Sequence, residues 1–238
     1  MEKINLLSKG DTNTKTAKNS LKTFILYLSP YNLNSKGINI CPKASKGCAS
    51  ACLYTAGRGA FSNVQKARQN KTEYYLRDKE GFILNLSNQI MKEYSKAKKG
   101  NYKIAFRLNG TSDIDFVYLL NKYANLDIST LKDFSIFYDY SKILGKCKKY
   151  LNHPNYVVTF SRAEDNNEDA NEAIKLGINV AVVFSGDFPQ RYKGAKVLDG
   201  DASDLVMIYN KGIVLGLKAK GKAKKDNSGF VINTELPF

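Results

Sequence analysis

Tryptophan is absent from this 238-residue chain, and histidine occurs once, at His153. A Ser-His-Asp relay or a histidine-rich metal centre would depend on that one imidazole. Neither a G-x-x-x-x-G-K-S/T phosphate loop nor a G-x-G-x-x-G fingerprint occurs, and Gly57-Arg-Gly59 is too short to serve as either. No apolar run approaches the length that crosses a bilayer, and the opening segment Met1 to Lys9 lacks the apolar core and small-residue cleavage site of a secretory signal. The expectation is a soluble intracellular protein with no membrane partner. Acidic residues are scarce, 22 against 37 Lys and Arg, giving a net charge of +15. This balance favours nucleic acid or an anionic small molecule as partner. Lysine supplies more of the excess than arginine, which suits attraction to a phosphate backbone better than reading of bases. Tyr and Phe are plentiful, and Tyr54, Phe61, Tyr138 or Tyr140 could stack on a base, although aromatics more often fill cores.

Cysteine is also sparse, with four residues, too few and too unevenly spread for a secreted disulfide scaffold. Three of them fall in Cys41-Pro-Lys-Ala-Ser-Lys-Gly-Cys48-Ala-Ser-Ala-Cys52. Thiolates converging from one short loop can ligate iron or zinc, and three protein ligands leave a coordination position open. Cys147 or His153 would supply a fourth ligand if the metal were structural zinc. Two other readings remain: small buried side chains sharing one face of a helical turn, and disulfide or thiol chemistry.

Residues 1–22 read as a polar arm, and 23–238 as a single α/β domain containing the cysteine loop 41–52 and a basic segment 216–225. Strands are expected at Thr23–Ser29, Tyr102–Leu108, Phe134–Tyr138, Tyr156–Phe160 and Val180–Phe184, with shorter ones at Val197–Leu198, Leu205–Ile208 and Ile213–Leu217. Helical periodicity runs from Asn63 to about Lys99 with a break at Gly81, and returns at Asp115–Tyr123, Ser141–Leu151 and Asn167–Leu176. Alternating strands and helices predict a mostly parallel sheet with covering helices. A partial or degenerate (β/α) barrel is favoured over a doubly wound sheet.

Polar residues follow the expected strands. Carboxyl-terminal strand ends share one edge in parallel α/β folds, so residues far apart in sequence can meet there. This makes Asn109, Asp113, Asp139 and Asp187 candidates for catalysis or ligand orientation, with Arg107 and Arg162 as anion-binding groups. In Gly216 to Lys225 an extended chain would send Lys218, Lys220, Lys222 and Lys224 to one face, along a phosphate backbone or as a solvated edge. Asp199, Asp201 and Asp204 offer oxygen ligands for a divalent cation or, more simply, a β-turn.

The chain resembles the bacteriophage gene product 88 family. The likeness rests on Leu26-Tyr-Leu-Ser-Pro30, the Cys41 to Tyr54 block, Arg107-Leu-Asn-Gly-Thr-Ser-Asp113, Asp199-Gly-Asp201 with Asp204, and Leu217 to Lys222 leading to Gly229-Phe-Val231. It implies a phage protein acting in the cytoplasm of the infected bacterial host, where a host protein is a further possible partner. The order of strands and the cysteine loop is distantly similar to radical S-adenosylmethionine enzymes. That likeness implies an iron–sulfur cluster on Cys41, Cys48 and Cys52, with S-adenosylmethionine as cofactor. Those enzymes use C-x3-C-x2-C, whereas this chain has C-x6-C-x3-C.

Overall fold

The computed structural model describes residues 4–10, 21–52, 54 and 56–234. Along the chain the elements are β1 (Leu7–Lys9), β2 (Lys22–Leu26), α1 (Lys46–Ser50), α2 (Ser62–Arg77), α3 (Lys79–Lys99), β3 (Ile104–Arg107), α4 (Phe116–Ala124), β4 (Ser135–Ser141) and α5 (Leu144–Lys149). They continue as β5 (Tyr156–Ser161), α6 (Asn167–Lys175), β6 (Val180–Phe184), β7 (Arg191–Tyr192), β8 (Ala195–Asp199), α7 (Leu205–Tyr209), β9 (Val214–Lys218) and β10 (Val231–Ile232). The chain divides into two compact units. One is Met1–Cys41, Phe61–Asp139 and His153–Tyr156; the other is Pro42–Ala60, Tyr140–Asn152 and Val157–Phe238.

In the first unit β2, β3 and β4 run parallel, with Phe24 in register with Phe106 and Phe106 with Phe137. Their rings stack across the strands at 5.6 and 4.9 Å, so identical spacing in three strands gives one continuous apolar face. Tyr75 and Phe116 each pack on Phe82 beneath α2, α3 and α4. Within the segment expected as an arm, Leu7–Lys9 is an edge strand antiparallel to β2. The Gln89 amide oxygen accepts from Leu6 N and Leu7 N at 2.9 and 3.1 Å. Residues 11–20 lie outside the described set.

In the second unit β6 is central. It pairs in parallel with β5 at Val180 and Ala181, with β10 at Val183 and Phe184, and with β9 along its other edge. β8 adds in parallel to β9, and β7 closes antiparallel on β8. Helices α5 and α6 cover this unit, α6 burying Ala170 and Ala173. The architecture is therefore α/β with a mostly parallel, mixed sheet and covering helices. Among the described residues the strand order ends at β1 and β7, and the sheet does not close on itself.

Three local expectations need correction. The long helical stretch breaks at Asp78 and not at Gly81, because the Asp78 side chain caps α3 by accepting from Gly81 N at 2.8 Å. A Cβ on Gly81 would stand 2.2 Å from Asp78 Oδ2, so the glycine makes room for the cap. Leu205–Ile208 belongs to helix α7, since a short apolar run fits either period. The Asn179 side-chain amide donates to the Met207 and Asn210 carbonyls at 3.0 and 2.7 Å, satisfying acceptors at the helix end. The extended lysine stripe ends at Lys218: Gly221 takes φ +54° and the chain turns into a 3-10 helix over Gly221–Lys225.

Helix α2 buries two cations, Arg68 and Lys71, each 9% exposed. Lys71 Nζ donates to the Leu6 carbonyl at 2.8 Å. Burial, reinforced by the Arg68 charge, lowers the Lys71 ammonium from 10.5 to about 8. The unfolded chain therefore holds this proton over a pH interval in which the folded chain has lost it. The cost of burying the charge is complete below pH about 8 and is relieved as pH rises towards 10.5. In urea unfolding, wild type is expected to gain stability relative to Lys71→Met across that interval, and a pH-independent difference would contradict the assignment.

Candidate functional site

The cysteine helix α1 begins at Ser45, whose hydroxyl accepts from Cys48 N at 3.0 Å as an N-cap. Glu164, just beyond β5, locks this turn: its carboxylate accepts from Ser45 Oγ and from Gly47 N, both at 2.7 Å. Burial pushes the Glu164 carboxyl up, but the hydrogen bonds from Ser45 and Gly47 outweigh it and leave the group below its ordinary value. Gly47 has no room for a side chain, because a Cβ there would lie 2.2 Å from Ser228 Oγ and 2.8 Å from Phe230 Cβ. The helix is thus pressed against the 228–230 turn.

Cys48 is half-buried and packs against Ala51, Ala163, Ala219, Ala223 and Phe230. Burial raises its thiol pKa, while the Lys142 ammonium, within hydrogen-bonding reach of the sulfur, opposes that rise. Lys142 directly follows β4. Its Nζ donates to Ser161 Oγ at 2.8 Å and lies 5.4 Å from the centre of the Phe230 ring. Cys52 stands one turn after Cys48 and is also half-buried, and neither is in a disulfide.

Three of the predicted anion-binding residues of this unit, Arg162, Lys218 and Lys220, are already engaged. Arg162 is 5% exposed and donates to the Gly229 and Phe230 carbonyls at 2.5 and 3.0 Å and to Asn167 Oδ1 at 3.0 Å. It clasps the 228–230 turn against β5. Lys218 pairs with exposed Asp187 at 3.0 Å, and Lys220 with Asp201 at 2.6 Å. Asp201 also accepts from Lys218 N at 2.7 Å, and Asp199 accepts from Asp201 N at 2.8 Å, so the acidic stretch is a turn that binds the end of β9. Lys222 and Lys224 are exposed on the 3-10 turn. Cys147 is 1% exposed inside α5.

In the first unit the loop after β3 joins four of the predicted positions. Asn109 N and Nδ2 donate to the two oxygens of buried Asp139 at 2.7 and 3.0 Å, and Tyr156 OH donates to the same carboxylate at 3.0 Å. Asn109 Oδ1 accepts from Ser112 Oγ and Ile114 N, so both ends of this amide fix the loop's shape. Asp113 N donates to the Ile40 carbonyl at 3.0 Å. The Cys41 sulfur accepts from Tyr31 N at 3.4 Å and donates to the Thr111 carbonyl at 3.6 Å. The Asn109 loop thereby holds Cys41. Arg107 ends β3, half-buried and in register with Ile25. His153 Nδ1 accepts from Asn155 N at 3.4 Å, and burial lowers its pKa against the pull of Asp127.

Among the described residues no three His, Cys, Asp or Glu side chains stand together as a ready metal site. The donor chemistry of Cys41, Cys48 and Cys52 still suits a thiophilic metal, since none is in a disulfide and all three lie outside the fully buried core. Sequence reasoning passed over Lys142 and Glu164, although both lie at strand ends where functional groups were expected. Their signal was position; neither belongs to a motif. The crowding at Gly47 makes Gly47→Ala a test of the α1 dock: chemical denaturation should show a loss of about 1–3 kcal/mol, and an unchanged midpoint would contradict it.

No curated protein and no solved structure matches the chain. Among the described residues no helix is long and apolar enough to cross a membrane. A family model described as Gene product 88 matches residues 5–234, nearly the whole chain, and the protein belongs to that family.

Proposed function

We propose that this bacteriophage protein is an enzyme that carries an iron–sulfur cluster on Cys41, Cys48 and Cys52 and acts on an anionic substrate. The observation that carries the reading is the pairing of the Cys48 thiol with the Lys142 ammonium. A thiol whose pKa is raised by burial is a poor nucleophile at neutral pH, which argues against simple cysteine catalysis. Metal ligation removes that proton outright, and an ammonium donating to the sulfur then offsets the added negative charge. Ser161 and Phe230 keep Lys142 in place for this role. Glu164 holds the turn that presents Cys48, and Thr111 holds Cys41.

A cluster bound by three cysteines leaves one iron open to a substrate or to S-adenosylmethionine. The surplus of cationic side chains supports an anionic substrate. Protein expressed with iron and zinc available and purified without oxygen should contain iron and acid-labile sulfide in equal amounts and show a brown charge-transfer absorption. Stoichiometric zinc without sulfide would replace this reading with a structural zinc site in a nucleic-acid-associated protein. Absence of iron after anaerobic reconstitution would sink it.

A further inference from the structure

The 3-10 turn Gly221–Lys225, in the second unit, is held to the cysteine helix by one small side chain. Ala223 is 5% exposed and packs with Ala51, Ala163, Ala219 and Phe230, the cluster against which Cys48 also lies. At the start of the turn, a Cβ on Gly221 would stand 3.1 Å from the Ala56 methyl, so the turn rests on the chain just beyond α1. With Ala223 directed inward, Lys222, Lys224 and Lys225 are left exposed. Residues three apart eclipse in a 3-10 turn, which sets Lys222 and Lys225 on one side. Lys46 on α1 and Arg58 on the 3-10 turn Gly57–Ala60 are exposed as well. Three adjoining segments of one unit thus carry five exposed cations.

The carboxylates of these segments and their neighbours are engaged elsewhere. Lys218 and Lys220 take up Asp187 and Asp201. Asp226 accepts from Ser228 Oγ and Val231 N at 2.6 and 3.0 Å, and Glu164 holds Ser45 and Gly47. Asp165, exposed and within electrostatic reach of Cys48, is one carboxylate against five cations. Among the described residues, Lys222, Lys224 and Lys225 form no ion pair. The exposed residues between Lys220 and Gly229 include no large apolar side chain. A protein partner is met mainly through aromatic or arginine anchors, with lysine depleted, and a lipid surface through an apolar face beside the charge; this turn offers neither. Lysines that reach into solvent without such anchors suit a phosphodiester backbone, which they neutralise without reading sequence.

We propose that the lysine turn, docked on the cysteine helix, binds a single strand of nucleic acid, and that this strand is the anionic substrate of the cluster. The substrate role rests on the cluster reading, whereas the face is built by side-chain packing alone. Chemistry on a nucleotide requires its base out of the stack. A single strand meets that requirement when held by its phosphates beside α1, while a duplex keeps its bases paired inside.

Fluorescence anisotropy of the full chain with a labelled oligothymidylate, over a series of sodium chloride concentrations, tests the face. Each lost phosphate contact lowers the salt slope by about 0.7, so in Lys222→Gln/Lys224→Gln/Lys225→Gln the slope should fall by about 2 and the affinity at about 0.1 M salt by about a hundredfold. Lys92→Gln/Lys98→Gln/Lys99→Gln removes the same charge from exposed positions of α3 and should leave most of the affinity. Both variants replace exposed side chains and should keep the wild-type melting temperature. Equal losses in the two variants, or no loss in the turn variant, would overturn the face. A duplex bound more tightly than the strand, or poly-glutamate competing as well as the strand, would overturn the choice of partner. Iron and sulfide retained in the turn variant would show that its lost binding is not loss of the cluster. Lysine-dependent strand binding by protein that takes up no iron would uphold the face and refute the cluster reading.

Discussion

The Glu164 carboxylate is the constraint on which the cysteine helix depends. Helix α1 is five residues long, too short to persist through its own hydrogen bonds. One carboxylate gathers its N-cap hydroxyl and a first-turn amide, and the absent side chain of Gly47 lets the turn rest against Ser228 and Phe230. Arg162, two residues before Glu164, grips the carbonyls of that same 229–230 stretch. The end of β5 therefore orients both the cysteine helix and the C-terminal turn that backs it. Lys142 reaches Cys48 within this frame because Ser161, the last residue of β5, accepts from its ammonium.

The first unit applies the same principle with different residues. Asn109, two residues past β3, donates two hydrogen bonds to the Asp139 carboxylate in β4, and the remaining amide valences shape the loop that receives Cys41. Saturated polar pairs of this kind hold a loop rigidly, because losing one partner would strand the other in a buried setting. The +15 charge is consequently less available than composition suggests. Lys218 and Lys220 are tied to carboxylates and Arg162 to carbonyls.

How much was legible depended on the range of the deciding interaction. Val180–Phe184 reads correctly as a strand because five apolar residues suit a buried parallel position. Leu205 to Ile208 has a similar local composition yet is helical, and the Asn179 side chain that satisfies the helix end comes from elsewhere in the chain. The helix break at Asp78 follows from a capping bond that glycine-based punctuation misplaces by three residues. The meeting of Asn109 with Asp139 was accessible because parallel strands bring their ends to a common edge. Glu164, Lys142 and Lys71 were not, since each matters through burial or a partner distant in sequence, and neither quantity is written in local pattern.

The proposed metal site places the ligands in the Cys41–Cys52 segment and on no other thiol. The most direct measurement is iron and sulfide content, with the visible spectrum, of four anaerobically reconstituted single variants: Cys41→Ala, Cys48→Ala, Cys52→Ala and Cys147→Ala. Loss of the chromophore is expected in the first three, with retention in Cys147→Ala. Iron content indifferent to the three loop substitutions, or lost only with Cys147, would contradict it.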